Sequence, residues 1–524
     1  MVRKAQIVCL ILIGSYPPLY LYARNQNEMD FGSLLAPLAL SIGISVIAAL
    51  SWYPILRDQT RSALMAAWLG FSFWFAGYIS NTYLFSYADS SIIEGTCSIL
   101  VFIVIYLIGR NYIAVKPDID KRIISAAAMI SGILVLYSLV SILPTEIQRL
   151  ARGFTSNRAS SITNTQVPIA KIDENTPNII DIVLDGYARA DILESRYKQS
   201  NVSFINELRR RGFHVVDDST TNYSATALSL TSMLNMNYIQ RPEGFIGNDM
   251  EPITKMMKEN EVFRYIRGRG YWTVNFSAFC SLTEGIDSDE RRTFADNLDQ
   301  FHSNLMRFTP LSILIRTWSQ GTTNDPYEIH RRQVSNALNG ITMVSDTKKP
   351  IYAFAHIVCP HPPFIFKADG RPAETYRPYN VWDADDFRSQ GGTRDEYLNG
   401  YREQVTHLNK LVLKSIDKLQ KMMHRPSIII IHSDHGPGLG FDFKDIDRSD
   451  LKERMSNLMA IYFPDGDYST IYPEITGVNI YRVILSKYMD AQLPLIHDKH
   501  FFINWRNPYD HTPITLEQIN RDKP

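Results

Sequence analysis

The sequence predicts an α/β protein anchored in a membrane, in which a bundle of five transmembrane helices precedes a large α/β domain. Five apolar runs occupy the first 143 residues, and each approaches the ~20 residues with which a helix crosses a bilayer. Strand-like and helix-like segments alternate after residue 177, as is typical of α/β folds. Several of the strand-like runs end at acidic or histidine residues, which predicts a site at one edge of a sheet.

The membrane spans are predicted from apolar runs at 6–23, 33–53, 64–85, 91–109 and 123–143. The first run would also suit a signal peptide, because Arg3 and Lys4 precede it. The proline pair Pro17 and Pro18, together with the four later runs, favours an uncleaved first helix instead. Residues 1–143 are therefore assigned to a transmembrane domain.

Basic residues in alternate loops predict the orientation of these spans. Arg57, Arg110 and Arg122 belong to loops that alternate with loops almost free of lysine and arginine. Basic loops are retained on the cytoplasmic side, so five spans place the chain from residue 144 onward outside the cytoplasm. We expect a multi-pass protein of a bacterial plasma (inner) membrane, with its catalytic domain periplasmic or extracellular.

The remaining chain is predicted to be a linker at 144–177 followed by a single domain at 178–524. The linker is polar and contains breaker residues such as Pro168. The 54 basic and 54 acidic residues cancel, which argues against nucleic acid as a partner. Four cysteines are too few for a disulfide scaffold, and pairing of Cys280 with Cys359 is left open.

The domain at 178–524 shows a regular alternation of predicted elements. Apolar runs typical of buried strands lie at 178–184, 271–276, 351–357 and 427–432. Helical patterns lie at 201–211, 253–268, 326–342 and 395–421. Acids and histidines stand at the ends of the strands: Asp185, His356, His361, Asp434 and His435. Carboxylate oxygens with imidazole nitrogens at one sheet edge predict a divalent-metal site suited to zinc or manganese.

Four motifs, taken in order, resemble the alkaline phosphatase/sulfatase superfamily. They are the runs from Pro177 to Gly186, from Asn222 to Asn235, from His356 to Phe364 and from Ser433 to Gly440, the last containing Asp-His-Gly. Membrane spans before such a domain are similar to those of lipoteichoic acid synthases and lipid A phosphoethanolamine transferases. The resemblance covers about 178–465 and implies an alkaline-phosphatase-like α/β/α sandwich.

The resemblance also implies a nucleophile. Thr226 matches the family's threonine best, because Ser229 and Met233 follow it at the expected offsets, and Ser224 is the main rival. Without the other motifs, Thr226 would be interpreted as a helix N-cap. Direct contact with a divalent cation would make its hydroxyl nucleophilic enough to attack phosphorus and form a phosphothreonine.

The remaining roles follow from the same resemblance. The implied metal ligands are Asp185, Thr226, Asp434 and His435. Asp185 stands where the lipid-modifying transferases usually have glutamate. His361, in a His-x-Pro setting, would contact the substrate phosphate or a second metal, and His356 is a further candidate of this kind. The transferases have another histidine after Asp-His-Gly, but none occurs here between His435 and His497, so one firmly bound ion is expected.

The expected activity is transfer of a phosphorus-containing head group from a lipid donor to an envelope glycan or lipid. A sulfatase would need Cys or Ser followed by x-Pro-x-Arg, whereas Ala227, Leu228 and Ser229 follow Thr226. The alternative is an exported phosphodiesterase or phosphatase that uses water as acceptor at the same site. A non-catalytic envelope scaffold is a third hypothesis, and the intact set of predicted site residues argues against it.

Overall fold

The computed structural model describes residues 2–29, 31–79, 99–100, 102–108, 110–111, 113, 120–155, 172–241, 248–277, 280–293, 325–344, 349–374, 379, 381, 383–389, 391–422, 424–504 and 507–521. The chain divides into two compact units. The first comprises Met1–Asn164, Asp249–Glu251 and Asn297–Thr322, and the second comprises Thr165–Asn248, Pro252–Asp296 and Thr323–Pro524.

The first unit contains long apolar helices. They are α1 (Val2–Asn25), α2 (Gly32–Leu56), α3 (Gln59–Ile79) and α4 (Asp120–Thr155), with a 3₁₀ turn at Gln26–Glu28. Three helical stretches in the described residues are long and apolar enough to cross a membrane: Gln6–Asn25, Gly32–Leu56 and Ile123–Leu150. Large apolar side chains such as Leu50 on α2 and Leu136 on α4 are exposed, as lipid-facing positions would be.

The five-span count is not confirmed. The predicted span at 64–85 overlaps α3, which is not among the three candidates, and about half of the one at 91–109 lies outside the described residues. The last predicted span, 123–143, is part of the longer helix α4, so the predicted linker begins with helical residues up to Thr155. The limits of the domains stay a prediction.

A partly buried polar cluster joins α1 to α4 within the first unit. Arg149 forms an ion pair with Asp249 at 2.6 Å and another with Glu146 at 2.8 Å. The Tyr22 hydroxyl donates to Glu146 at 2.6 Å. Because buried charges are costly unless they are paired, these contacts fix the helix ends relative to the Asp249 segment.

The remaining chain forms a seven-stranded mixed sheet and a two-stranded sheet. The strands are β1 (Asn178–Leu184), β2 (His214–Val215), β3 (Trp272–Ser277), β4 (Glu290–Thr293), β5 (Ile351–Ile357), β6 (Ser427–His432), β7 (Met459–Tyr462), β8 (His500–Ile503) and β9 (His511–Ile514). The large sheet has the order β2-β7-β6-β1-β5-β3-β4, and β8 pairs with β9. Pairs β2–β7 and β6–β7 are antiparallel, whereas the other pairs of the large sheet are parallel.

Helices connect these strands. They are α5 (Ala190–Tyr197), α6 (Val202–Arg210), α7 (Thr226–Leu234), α8 (Glu251–Lys258), α9 (Glu261–Gly268), α10 (Ser281–Glu284), α11 (Pro326–Gly340), α12 (Ala384–Ser389), α13 (Arg394–Met422), α14 (Leu451–Met455), α15 (Gly477–Met489) and α16 (Leu516–Asn520), with 3₁₀ turns at Ile341–Met343 and Ile446–Arg448. The four predicted strands are confirmed as β1, β3, β5 and β6. The predicted helix at 253–268 is wrong as a single element, because Asn260 caps a new helix there by accepting from Phe263 N at 3.0 Å.

Both faces of the large sheet are covered. Along β1, Ile180, Ile182 and Leu184 pack into one apolar core, while Ile179 and Val183 pack into another. This two-sided burial explains why the strands appear in the sequence as unbroken apolar runs. It also gives the domain a layered helix–sheet–helix construction.

The central strand β1 brings distant parts of the chain to one edge. It pairs in parallel with β5 on one side and β6 on the other, so that Val183 lies opposite His356 and His432. The carboxyl ends of the three strands therefore meet. The residues that follow them are the predicted acids and histidines.

Candidate functional site

A tight turn after β1 links two carboxylate-bearing loops. Gly186 has a φ of 71°, a left-handed conformation that a side chain would disfavour. Its N–H donates to Asp434 Oδ1 at 3.1 Å. The main-chain oxygen of Asp185 accepts from His361 N at 3.0 Å. This turn thus aligns the ends of β1, β5 and β6.

The Asp-His-Gly turn after β6 is held by close packing. A Cβ on Gly436 would lie 2.0 Å from the carbonyl oxygen of Glu453, so only glycine fits. The carbonyl oxygen of Asp434 accepts from Thr221 Oγ1 at 2.6 Å and from Ser229 Oγ at 2.7 Å. The main chain of this turn is therefore held in place on both sides of His435.

Thr226 begins α7 and faces His435. The N-cap position belongs to Ala225, whose backbone is extended, so Thr226 is the first helical residue and not the cap. Its Oγ1 lies 2.9 Å from Nε2 of His435. The rival Ser224 is fully buried, and its Oγ accepts from Ile503 N at 2.9 Å. Between the two hydroxyls, Thr226 is thus the one that contacts the predicted site.

The tautomer of His435 is defined by its backbone contact. Nδ1 lies 2.8 Å from the carbonyl oxygen of Gly436, and because a carbonyl can only accept, the proton sits on Nδ1. Nε2 then presents a lone pair toward Thr226. A backbone contact that orients the ring in this way is usual for histidines that bind metals.

The predicted metal ligands lie together with the spacing of a coordination site. From His435 Nε2 the distance is 2.9 Å to Thr226 Oγ1, 3.2 Å to Asp434 Oδ2 and 3.8 Å to Asp185 Oδ1. Tetrahedral zinc with ligands at about 2.0–2.2 Å separates its ligand atoms by roughly 3.3–3.6 Å. Asp185 Oδ1 and Asp434 Oδ2 are buried and make no hydrogen bond within the described part of the chain. Buried carboxylate oxygens without donors are costly, so this donor set fits a divalent cation.

His356 lies beside the same carboxylates. Its Nε2 is 3.4 Å from Asp185 Oδ2 and also lacks a hydrogen bond to the described residues, while Nδ1 contacts Thr283 Oγ1 at 3.1 Å. One ligand atom each from Asp185, His356 and Asp434 lies within 4.8 Å of the others. His356 is therefore close enough to both carboxylates to be a candidate metal ligand as well as a candidate substrate contact.

His361 lies on the loop after β5, between two cis peptide bonds, Cys359–Pro360 and Pro362–Pro363. Its Nδ1 is 2.6 Å from the carbonyl oxygen of Pro362, which leaves Nε2 to face Asp383 Oδ2 at 4.0 Å. Cys359 and Cys280, for which pairing was left open, are both free thiols.

The pKa values of His356 and His435 are shifted in opposite directions. Burial raises the pKa of Asp185, but His361, His356 and His435 together lower it more, so its pKa lies well below the usual range. Burial lowers the pKa of His356, but Asp185 and Cys280 raise it well above its ordinary value. Burial and then the Arg454 guanidinium lower the pKa of His435. Asp185 is thus ionised and His435 neutral at neutral pH.

Arg454 and Asp383 are site neighbours that the sequence did not reveal. The Arg454 side chain, 2% exposed, lies 3.2 Å from His435 Nε2 through Nη2 and pairs with Asp383 through Nη1. In the sequence Arg454 ends a charged run, Asp450-Leu-Lys-Glu-Arg, which looks like a solvated helical turn. A weak signal was available, because that run lies between the Asp-His-Gly motif and the apolar residues of β7.

Comparisons with known proteins complete the description. The sulfatase family model matches residues 177–481. The integral membrane protein lipooligosaccharide phosphoethanolamine transferase A from Neisseria meningitidis is similar at 15% identity and a TM-score of 0.40, over 93% of this chain and 95% of that chain. The C-terminal periplasmic domain of EcEptC from Escherichia coli is similar at 10% identity and 0.40, over 66% and 94%. The phosphonate monoester hydrolase of Agrobacterium radiobacter is similar at 12% and 0.35, over 62% and 75%. Comparison with curated proteins gave no match.

Proposed function

The chain belongs to the sulfatase family, and from this premise we propose that it is a membrane-bound, metal-dependent phospho-group transferase. It moves a phosphorus-containing head group from a lipid donor to a glycan or lipid of the cell envelope, with Thr226 as the covalent carrier. The observation that carries this proposal is the 2.9 Å contact between Thr226 Oγ1 and His435 Nε2 beside two buried carboxylates.

The residues around Thr226 support phosphorus rather than sulfur chemistry. A threonine cannot be converted to the formylglycine on which sulfatases depend, and the residues after it lack the x-Pro-x-Arg pattern. A threonine hydroxyl can form a stable phosphoester, which suits a two-step transfer.

Asp185, Thr226, Asp434 and His435 would hold the metal, with zinc or manganese as the expected ion. When bound, such an ion lowers the pKa of an adjacent hydroxyl and neutralises charge on a phosphoryl group. Asp185 and Asp434 contribute the negative charge that retains a dication. His435 contributes a neutral nitrogen, as a ligand must.

The reaction consists of two displacements at phosphorus. In the first, Thr226 Oγ1 forms a bond to phosphorus, the bond to the leaving alcohol breaks, and in net terms the proton of Thr226 departs with that alcohol. In the second, the hydroxyl oxygen of the acceptor forms a bond to phosphorus, the bond between phosphorus and Thr226 Oγ1 breaks, and the proton of the acceptor returns to Thr226. Nδ1 of His361 contacts the carbonyl oxygen of Pro362, which leaves Nε2 for the substrate. His361 supports both displacements by contacting the phosphate oxygens through Nε2.

Membrane attachment fits a lipid donor. Three helical stretches of the described residues could cross a bilayer, and the distribution of basic loops supports a catalytic domain outside the cytoplasm. We therefore assign the protein to the bacterial plasma membrane, with lipid and glycan partners and no nucleic acid.

The proposal is tested by comparing lipids and envelope glycans from cells with and without the protein by mass spectrometry. One phosphorus-containing group should appear on the acceptor only when the wild-type protein is present, and Thr226→Ala should behave as the empty strain. Release of the head group into water without any modified acceptor would favour the phosphodiesterase alternative.

A further inference from the structure

Arg454 is a buried cation that the mechanism above does not use. It belongs to α14, and its side chain is among the largest fully buried ones in the described residues. A guanidinium remains charged at any physiological pH, so burying it requires fixed partners. The environment of Arg454 therefore shows what holds the charge in place.

Two sides of the guanidinium are committed to the protein. Nε donates to the carbonyl oxygen of Ser224 at 2.8 Å, and Nη1 donates to Asp383 and to the carbonyl oxygen of Gly436. The rings of Phe441 and Phe443 lie against it, with centroids 5.0 and 5.2 Å from Cζ. These contacts orient the group by hydrogen bonds and cation–π attraction.

The remaining amino group faces the site. Nη2 lies 3.2 Å from His435 Nε2, the same atom that Thr226 Oγ1 contacts at 2.9 Å. Because both atoms contact this nitrogen, a phosphoryl group bonded to Thr226 Oγ1 would place its non-bridging oxygens close to Nη2. An anionic oxygen is also a stronger acceptor for guanidinium than a neutral imidazole nitrogen.

We propose that Arg454 donates from Nη2 to a non-bridging oxygen of the phosphoryl group carried by Thr226. The ligand class is a phosphate mono- or diester anion, and this assignment rests on the proposed function. Arg454 would stabilise the extra negative charge of the transition state, where a preorganised, desolvated cation acts most strongly.

Asp383 is the internal anion that competes for this cation. Its carboxylate pairs with Nη1 of Arg454 and lies 4.0 Å from Nε2 of His361, the other predicted phosphate contact. Removing its charge should therefore make the arginine more available to phosphate, whereas removing the arginine should do the opposite.

The experiment measures inorganic phosphate affinity of the full-length, metal-loaded protein in detergent, by calorimetry, with kcat and KM for a phosphodiester measured separately. Arg454→Lys keeps the charge but cannot hold Ser224, Asp383 and a phosphate oxygen together, so phosphate affinity should fall roughly ten- to hundredfold. Arg454→Met should fall at least as far. Asp383→Asn should bind phosphate more tightly, and it tests the idea even if the arginine variants do not fold.

Arg189→Lys is the matched control. Arg189 is 8% exposed, donates to the Ser219 carbonyl oxygen and pairs with Asp191, but it does not belong to the site, so phosphate affinity should not change. Wild-type affinity in Arg454→Lys, or no gain in Asp383→Asn, would overturn the proposal. A protein that binds phosphate through Arg454 but transfers nothing would leave this inference standing and reject the proposed function.

Discussion

Thr226 Oγ1 and His435 Nε2 lie 2.9 Å apart, although 209 positions separate the two residues in the sequence. The contact joins the start of α7 to the turn after β6. It selects one hydroxyl of the Asn222–Asn235 run as the nucleophile of the proposed reaction.

Thr226 should carry the phospho-group. Rapid acid quench with a phosphodiester substrate should trap an adduct on a peptide spanning 222–235, and Thr226→Ala should abolish it together with turnover. Thr226→Ser keeps a hydroxyl and should retain part of the activity. Ser224→Ala is the control, because it leaves the N–H of Ile503 without its acceptor and should cost about 1–3 kcal/mol of stability without abolishing activity. An adduct on Ser224 would show that the nucleophile is misassigned.

Metal content should depend on Asp434. Asp434→Ala removes Oδ2, one of the two buried carboxylate oxygens that accept no hydrogen bond from the described residues. Metal affinity measured by chelator competition should therefore fall by more than tenfold, and activity should be lost. His361→Ala should lower activity but retain the metal, since Nε2 of His361 faces Asp383. Full turnover by protein whose metal has been removed with a strong chelator would contradict this mechanism.

The contribution of His356 can be separated from that of His435. Both rings lie near Asp185, but only His435 contacts Thr226. His435→Ala should therefore weaken metal binding more than His356→Ala, which should act mainly on KM. The reverse order of metal affinities would identify His356 as the nitrogen ligand.

Stability should fall with rising pH because of Glu453. Burial raises its pKa to about 7 from an ordinary value of 4.5, so the folded protein retains a proton that the unfolded chain loses. The contribution of Glu453 to stability is complete below pH 4.5 and is lost as pH rises to about 7, an amount on the order of 3 kcal/mol. Glu453→Gln should flatten this part of the Tm profile of the full-length protein. The exposed Glu474→Gln should leave it unchanged, and an unchanged slope in Glu453→Gln would refute the assignment.

Topology is open to a direct test. A periplasmic-type reporter fused after residue 160 should be active, because the alternation of basic loops predicts that this region lies outside the cytoplasm. A reporter that functions only in the cytoplasm should be silent there. The opposite pattern would exclude an odd number of spans and with it an exported catalytic domain.

The sheet was predictable because its strands are buried on both faces. Ile428 to Ile431 form an unbroken apolar run, and the predicted metal ligands follow such runs directly. The same pattern therefore predicted both the strands and the positions of the ligands. Hydrophobic periodicity gave a wrong prediction at 253–268, where a polar side chain ends one helix and begins another. The break between α8 and α9 depends on one hydrogen bond from Asn260, which a helical periodicity does not register.

Arg454 shows the limit more sharply. Its charge and its charged neighbours predict a side chain exposed to solvent, yet Glu453 and Arg454 are only 3% and 2% exposed. Their burial depends on Asp383, Tyr197 and the aromatic pair at 441 and 443, which are remote in the chain or belong to another loop. A residue that is stabilised by long-range partners carries no local signature.

The position of β1 between β5 and β6 has a consequence for how this domain acquires its structure. Asn178 pairs with Ser427 across 249 residues, so the central strand cannot be enclosed until the chain is available as far as β6. Contacts of such separation slow folding, and a chain that stops before residue 427 leaves an apolar strand edge uncovered. Nascent chains arrested during export should therefore be protease-sensitive and prone to aggregate, and cation uptake should be among the last events of maturation.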